Sequence, residues 1–104
     1  MKIVNRGFIS IHHRQEYWDW ANKFNAEVNF SEEDEMEGNV YLISEDIFDV
    51  EPIIEQNFKK IFETELLMVT DDEEDYPEKI TMELFLKWFK VEVGSTVIDT
   101  EKSD

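Results

Sequence analysis

The chain of 104 residues has no cysteine, only three glycines and two prolines, and no long apolar run. The absence of cysteine excludes disulfides, thiolate nucleophiles and Cys-based zinc sites, and it is typical of a reducing compartment. No segment approaches the roughly eighteen apolar residues of a membrane helix. Residues 1–11 are too short and carry charge too early to resemble a signal peptide. We therefore expect a cytoplasmic protein with no membrane partner.

Basic residues are scarce, because 10 Lys and Arg stand against 26 Asp and Glu, and the formal net charge is -16. The excess lies in the middle of the chain, where residues 27–78 contain nineteen acids and two lysines. Nucleic-acid phosphates and anionic membranes are repelled by such a field, since both bind through Lys and Arg. The composition therefore disfavours direct nucleic-acid binding and favours a protein partner with a basic surface.

The hydrophobic content of 41% and the aromatic content of 13% are typical of a packed, aromatic-rich core. A chain of this size buries roughly two thirds of its unfolded surface. No repeat, Pro-rich stretch or Gly-Ser linker divides it. We expect a single domain over residues 1–104, in which residues 100–104 form a frayed acidic tail.

Three segments rich in β-branched and apolar residues predict strands at 3–11, 39–44 and 91–98. The middle segment is a short apolar run between polar residues, which is typical of a buried strand with neighbours on both sides. The first β-α-β unit is compatible with a right-handed parallel crossover.

Apolar residues at helical spacing predict three helices: one over 15–24, a longer one that ends near Thr70, and a third that Thr81 caps. Asp49 or Glu51 is expected to cap the second helix. The stripe of that helix consists of Ile53, Ile54, Phe58, Ile61, Phe62, Glu65 and Leu66. The stripe of the third helix consists of Met82, Phe85, Trp88 and Phe89. The order β-α-β-α-α-β indicates an α+β fold, a two-layer sandwich of a three-stranded sheet with three helices.

Few residues point to catalysis. His12 and His13 are adjacent in a predicted strand, so their side chains face opposite ways and are poorly placed to share a metal. We interpret them as a polar strand end near Arg14. The sequence has no Gly-rich phosphate loop, no HExxH and no GxSxG motif. No catalytic residue, metal ligand or cofactor is predicted.

Two acidic runs, 32–37 and 71–75, are the strongest candidates for a binding surface. Several carboxylates in one loop suit hard divalent cations, but neither run has the DxDxDG spacing with a twelfth-position Glu. Consecutive carboxylates also fan outwards, which favours an exposed surface. The acidic residues assigned to it are Glu32, Glu33, Asp34, Glu35, Asp71, Asp72, Glu73, Glu74 and Asp75.

Two aromatic residues are candidates for anchoring a partner. Trp18 lies about 100° from Tyr17 around the first helix, which places it at the edge of the buried stripe, whereas Trp20 lies within the stripe. Tyr76 precedes Pro77 in a turn directly after the second acidic run. Half-exposed aromatic side chains carry much of the energy at protein interfaces, so Trp18 and Tyr76 are expected to contact the partner.

A family resemblance is carried by seven segments, which are Asn5-Arg6, Trp20, 38–43, Glu51-Pro52, 57–63, 72–77 and 88–93. Together they resemble a family of short, acidic, uncharacterised bacterial proteins, over nearly the whole chain. The resemblance implies a free-standing bacterial cytosolic domain and no mechanism. The sequence departs from the family pattern at His12-His13 and at Gly94.

Two functions remain open. The first is a protein-binding or adaptor module, monomeric or weakly dimeric, which presents its acidic surface to a basic partner; toxin-neutralising and nucleic-acid-mimicking proteins are special cases. The alternative is a carboxylate-based protein or enzyme that binds divalent ions, with Asp71, Asp72, Asp75 and Glu78 as the first residues to test.

Overall fold

The computed structural model describes residues 1–24, 29–34, 37–44 and 49–101. The strands are β1 (Lys2–Val4), β2 (Gly7–His13), β3 (Asn39–Ile43), β4 (Phe89–Gly94) and β5 (Val97–Asp99). The α-helices are α1 (Gln15–Ala21), α2 (Val50–Leu67) and α3 (Met82–Trp88), and short 3-10 turns occur at Asn22–Phe24, Glu32–Asp34 and Glu73–Asp75. The prediction of a mixed chain with three helices and β-structure is confirmed.

The main sheet has three strands in the order β3-β2-β4, and both pairings are antiparallel. The predicted parallel crossover between the first two strands is therefore wrong. The prediction that 39–44 has neighbours on both sides is also wrong, because β3 is an edge strand. Its outward residues Val40 and Leu42 are exposed by 63% and 47%. A continuous apolar run predicts burial on both faces of a strand. In this edge strand only the inward residues, Tyr41 and Ile43, pack against the core.

The first and last predicted strands are each divided in two, which adds a two-stranded ladder of β1 and β5. Val4 pairs with Val97 and Phe8 pairs with Gly94, so residues 5–7 face only residues 95–96. One extra residue in one strand shifts the register in the manner of a β-bulge. Gly94 is required beside this break, because a Cβ there would lie 2.3 Å from the Phe8 ring.

The helix predictions hold with small shifts at the ends. Asp49 occupies the N-cap of α2, but its side chain makes no capping hydrogen bond. The regular helix α2 stops at Leu67, and the backbone amides of Val69 and Thr70 still donate hydrogen bonds to the Leu66 carbonyl. Thr81 caps α3 as predicted, accepting the Leu84 amide at 3.1 Å. No helix of the described residues is long and apolar enough to cross a membrane.

The core lies between the three helices and the inward face of the sheet. The predicted stripe of α2 is confirmed at Ile61, Phe62, Glu65 and Leu66, which are all buried. Phe89 is fully buried as expected, but it begins β4 and does not belong to α3. The buried set consists of Ile9, Ile11, Tyr17, Trp20, Ala21, Ile61, Phe62, Glu65, Leu66, Phe85 and Phe89. Aromatic rings make up nearly half of it, and they position the half-buried Trp18 and Tyr76 at its boundary.

Candidate functional site

The first acidic run lies against the start of α1. The Glu32 carboxylate accepts the Gln15 amide at 3.1 Å, and the Gln15 side chain accepts the Glu32 amide at 3.0 Å. Asp34 closes the turn by accepting the Ser31 amide at 2.6 Å. Glu33 is exposed and bonds to no described residue. Glu35, the fourth acid assigned to this run, lies outside the described residues.

Trp18 is half-buried, as its position at the stripe edge predicted. Its ring centroid lies 5.1 Å from that of His13 and 5.3 Å from that of Phe30. One face of this aromatic group borders a cleft of about 400 Å³, which we call the Trp18 cleft. The Trp18 cleft is lined by His12, His13, Trp18, Glu32, Glu37, Lys90 and Glu92. The structure therefore brings Trp18 together with one carboxylate of the first acidic run.

The second acidic run follows α2 and forms a 3-10 turn. Asp72 caps the turn by accepting the Glu74 amide at 3.0 Å. Asp75 is fixed at two points, because its carboxylate accepts the Thr70 hydroxyl at 3.4 Å and its carbonyl accepts the buried Trp20 indole at 2.8 Å. The side chains of Asp71, Glu73 and Glu74 are exposed and bond to no described residue.

Tyr76 is half-buried beside this run, and its hydroxyl donates to the Thr70 carbonyl at 2.7 Å. It borders a second hollow of about 420 Å³, the Tyr76 groove, which is lined by Glu63, Leu67, Glu73, Tyr76, Pro77 and Ile80. Loss of solvent and the negative charges of Glu73, Asp71, Asp72 and Glu63 raise the pKa of the Tyr76 phenol. The second acidic run and Glu63 therefore act together on this one ring.

The acidic side chains of the described residues have no Lys or Arg partner. Among the described residues no Asp or Glu oxygen lies within 4.0 Å of a Lys or Arg nitrogen, and the one ion pair there joins His13 to Glu65. Nor do three or more His, Asp or Glu side chains of those residues converge as metal ligands would. The two runs are thus two separate acidic patches, each beside an aromatic residue, whose charge is left to solvent or a partner.

A buried polar cluster, which the sequence patterns did not predict, shares His13 with the lining of the Trp18 cleft. Glu65 of α2 is fully buried, and its carboxylate accepts His13 Nε2 at 2.7 Å. The Asn39 amide donates to both carboxylate oxygens, at 3.0 and 2.8 Å, and the Tyr41 hydroxyl donates to one of them. We call Glu65, His13, Asn39 and Tyr41 the Glu65 cluster. It joins β2, β3 and α2 at one point.

The electrostatics of the cluster follow from these contacts. Burial acts to raise the pKa of Glu65, but hydrogen bonds from His13, Tyr41 and Asn39 and the charge of His13 outweigh it and lower that pKa. Burial and the bond to Glu65 raise the pKa of Tyr41. Burial and the Glu65 charge also raise the pKa of Tyr17, whose hydroxyl donates to the Glu65 carbonyl at 3.1 Å. The cluster is therefore built to hold Glu65 ionised between neutral tyrosines.

His13 ends β2, as the interpretation of a polar strand end predicted, but the buried contact of its side chain with Glu65 was not predicted. His12 and His13 do face opposite sides of β2, but the inward side leads to Glu65 and leaves the His13 side chain only 8% exposed. A signal for this contact existed, because Glu65 falls on the core stripe of α2 and needs a buried partner. Two buried nitrogens, His13 Nδ1 and Arg14 Nε, have no hydrogen-bond partner among the described residues.

No protein-family model, no curated protein and no solved structure matches the chain. The resemblance to a family of short, acidic bacterial proteins therefore stays a prediction.

Proposed function

We propose that the protein is a cytoplasmic binding module, monomeric or weakly dimeric, that holds a protein partner by a basic surface of that partner. Its acidic runs supply the attraction, and Trp18 and Tyr76 supply apolar anchors. A toxin-neutralising or nucleic-acid-mimicking role belongs to the same class, because each presents carboxylates to a surface rich in Lys and Arg.

The observation that carries the proposal is the unpaired state of the acidic side chains. The net charge of the chain is -16, and within the described ranges no Lys or Arg lies within ion-pair distance of a carboxylate. Such charges repel one another in the free protein, and this repulsion is relieved when a basic surface neutralises them. They also steer a basic partner towards the protein and raise its association rate.

The Tyr76 groove provides the second component, which is contact area. Leu67 is 60% exposed on its wall, although it is an apolar residue at the end of α2. Pro77 and Ile80 add apolar surface to the lining, and Glu63 and Glu73 add two carboxylates to it. A Lys or Arg side chain suits this combination, because its alkyl stem covers apolar surface while its charged end meets the carboxylates.

The test is capture of the partner by immobilised protein from a bacterial lysate, at ionic strengths of about 0.05, 0.15 and 0.5 M, at which screening shortens the reach of charges. Proteins released as salt rises are identified, purified and rebound, so that the affinity is measured on a defined pair. We expect the affinity to fall with salt. An affinity that is unchanged over the series would contradict the proposal.

A charge reversal in the groove makes the test specific. Glu63→Lys changes a residue that lines the groove, and Glu55→Lys places the same charge change on α2 outside that lining. Both glutamates are exposed, so neither substitution disturbs the core. We expect Glu63→Lys to weaken binding of the purified partner more than Glu55→Lys does. Equal effects would mean that net charge acts without this groove.

The divalent-ion alternative is tested separately. Calorimetric titration with Ca²⁺, Mg²⁺ and Mn²⁺ should give no stoichiometric heat if the carboxylates serve a protein partner. A heat that saturates at a fixed ratio and is lost in Asp71→Asn, with no partner captured, would favour the ion-binding function instead.

A further inference from the structure

We propose that the free edge of β3, together with the face of α2 beside it, binds an acidic segment of another protein, which adds to the sheet as an extra strand. This surface shares no lining residue with the Tyr76 groove, so the site does not depend on the basic partner proposed above. In this mode of recognition main-chain hydrogen bonds supply affinity and alternate side chains supply specificity.

The outer edge of β3 is open in the described part of the chain. β3 ends the strand order β3-β2-β4, and among the described residues only β2 bonds to its backbone through main-chain groups. The Arg6 guanidinium is the one described side chain that bonds there, and it donates to the Leu42 and Ile43 carbonyls at 3.1 and 2.8 Å. Alternate residues of an antiparallel edge strand direct their amides and carbonyls away from the neighbouring strand. Such an edge is a template for a further strand.

A groove runs along this edge beside α2. Two hollows, of about 320 and 250 Å³, are lined by residues of both elements, and both include Leu42, Ile43 and Asn57. We call them together the β3–α2 groove. On the helix it extends from Ile53 to Thr64, which is roughly 16 Å at the helical rise. About five residues of an extended peptide have this length, so the groove can hold one strand.

The charge of the β3–α2 groove is opposite to that of the chain. Its described lining contains two bases, Arg6 and Lys60, and no Asp or Glu, although the sequence has 26 acids and 10 bases. The helix contributes Gln56, Lys60 and Thr64 at intervals of four residues, which is one face of α2. Neither base has an ion-pair partner within the described ranges. An acidic segment supplies the missing countercharge, whereas a basic segment is repelled.

The side chains around the edge define the pattern of the segment. Val40 and Leu42 form an exposed apolar row on the face of the sheet away from the helices. An added strand places every second side chain beside this row, because neighbours on one face of a sheet are in contact. The intervening side chains face α2, where Lys60 can meet a carboxylate. Alternating apolar and acidic residues therefore fit the site.

A second copy of this chain is a poorer occupant. Two β3 strands paired edge to edge would bring Arg6 and Lys60 of both copies to the same interface, and two chains of net charge -16 repel each other. The acidic runs of a second copy are not extended, because Glu32–Asp34 and Glu73–Asp75 form 3-10 turns. Both observations favour an extended segment of a different protein.

The probe is an acetylated and amidated peptide of alternating Glu and Val, about eight residues long so that it spans β3. Its binding to the ¹⁵N-labelled full chain is followed by backbone amide shifts. We expect saturable changes in β3 and in residues 53–64 of α2. The peptide in which Gln replaces every Glu should bind more weakly. No saturable change in β3, or equal binding of the two peptides, would overturn the proposal.

N-methylated peptides test whether the bound segment pairs with β3. Methyl groups on alternate amides remove the donors from one edge of the peptide only. Methylation of one of the two alternate sets should abolish binding, and methylation of the other should be tolerated. Binding that tolerates both sets, or that both sets weaken equally, would mean that no strand is added.

Two neighbouring lysines provide matched variants. Lys59 and Lys60 are both exposed on α2, and only Lys60 lines the β3–α2 groove. Lys60→Gln should weaken the Glu-Val peptide about two- to fivefold, the range of exposed ion pairs, and Lys59→Gln should have little effect. Equal effects would contradict the assignment. Sedimentation of the free chain tests the second copy, because a dimer that dissociates as the peptide binds would assign this edge to self-association and overturn the proposal.

Discussion

Replacing Tyr41 with Phe removes one hydroxyl from the Glu65 cluster and leaves the aromatic ring in place. The lost bond is a hydroxyl donating to an ionised carboxylate that is fully buried. Hydrogen bonds to charged groups contribute roughly 1.5–3 kcal/mol, so we expect the free energy of unfolding to fall by about that amount. Asn39 and His13 continue to hold the carboxylate, which keeps the loss below that of an unpaired buried charge.

Tyr76→Phe is the matched control. It removes a hydroxyl that donates to a neutral carbonyl, that of Thr70, from a half-exposed ring, and a bond of this kind contributes roughly 0.5–1.5 kcal/mol. Urea unfolding followed by Trp fluorescence measures both variants. A double-mutant cycle combines Tyr41→Phe with Glu65→Gln. We expect Tyr41→Phe to lower the free energy of unfolding by less in the Glu65→Gln background, where the carboxylate charge is gone. If Tyr41→Phe costs no more than Tyr76→Phe, the cluster does not hold Glu65 ionised in the way we describe.

Three further measurements check the fold. Phe62 is fully buried against three aromatic rings, so Phe62→Ala should lower the free energy of unfolding by about 3–5 kcal/mol, and a loss below about 1 kcal/mol would mean that the ring is not in the core. Thr81→Ala removes the cap on the Leu84 amide and should cost about 0.5–2 kcal/mol in thermal or urea unfolding, while Thr81→Ser should cost little. Because the pKa of Glu65 is below its usual 4.5 in the folded state, its contribution is present above that pH and is lost as the pH falls through the folded value. Glu65→Gln should therefore flatten the acid side of the stability profile, and an unchanged slope would contradict this.

The helices could be predicted because each depends on spacing within one short segment. The buried stripe of α2 and the cap of α3 follow from side chains within a few turns of one another. The exposure of Trp18 at the stripe edge could be predicted for the same reason.

The strands could be located but not arranged. The break after Val4 depends on the register with Val97, more than ninety residues away in sequence, and β2 pairs with β3 across a segment that contains α1. A short apolar run such as 39–43 has the same pattern in a central strand and in an edge strand whose inward face is buried. Topology therefore needed tertiary information that local patterns lack.

The Glu65 cluster shows what a residue-by-residue interpretation omits. His13 and Glu65 are 52 positions apart in sequence. Glu is rarely fully buried and His is only intermediate in burial, so neither residue alone predicts a buried pair. Their contact can be predicted only when the inward face of β2 is known to pack against the buried stripe of α2. The acidic runs behave differently, because exposure of consecutive carboxylates follows from their own repulsion and from the absence of nearby bases.

Zero-length carbodiimide cross-linking of the complex with the captured partner tests the binding proposal most directly, because it joins a carboxylate to a lysine only where the two are in contact. Mass spectrometry then locates the linked residues. We expect links from Glu63 and Glu73 at the Tyr76 groove to lysines of the partner. Links confined to acidic residues outside both acidic runs and outside the groove, such as Glu51 and Glu101, would contradict the proposed binding surface.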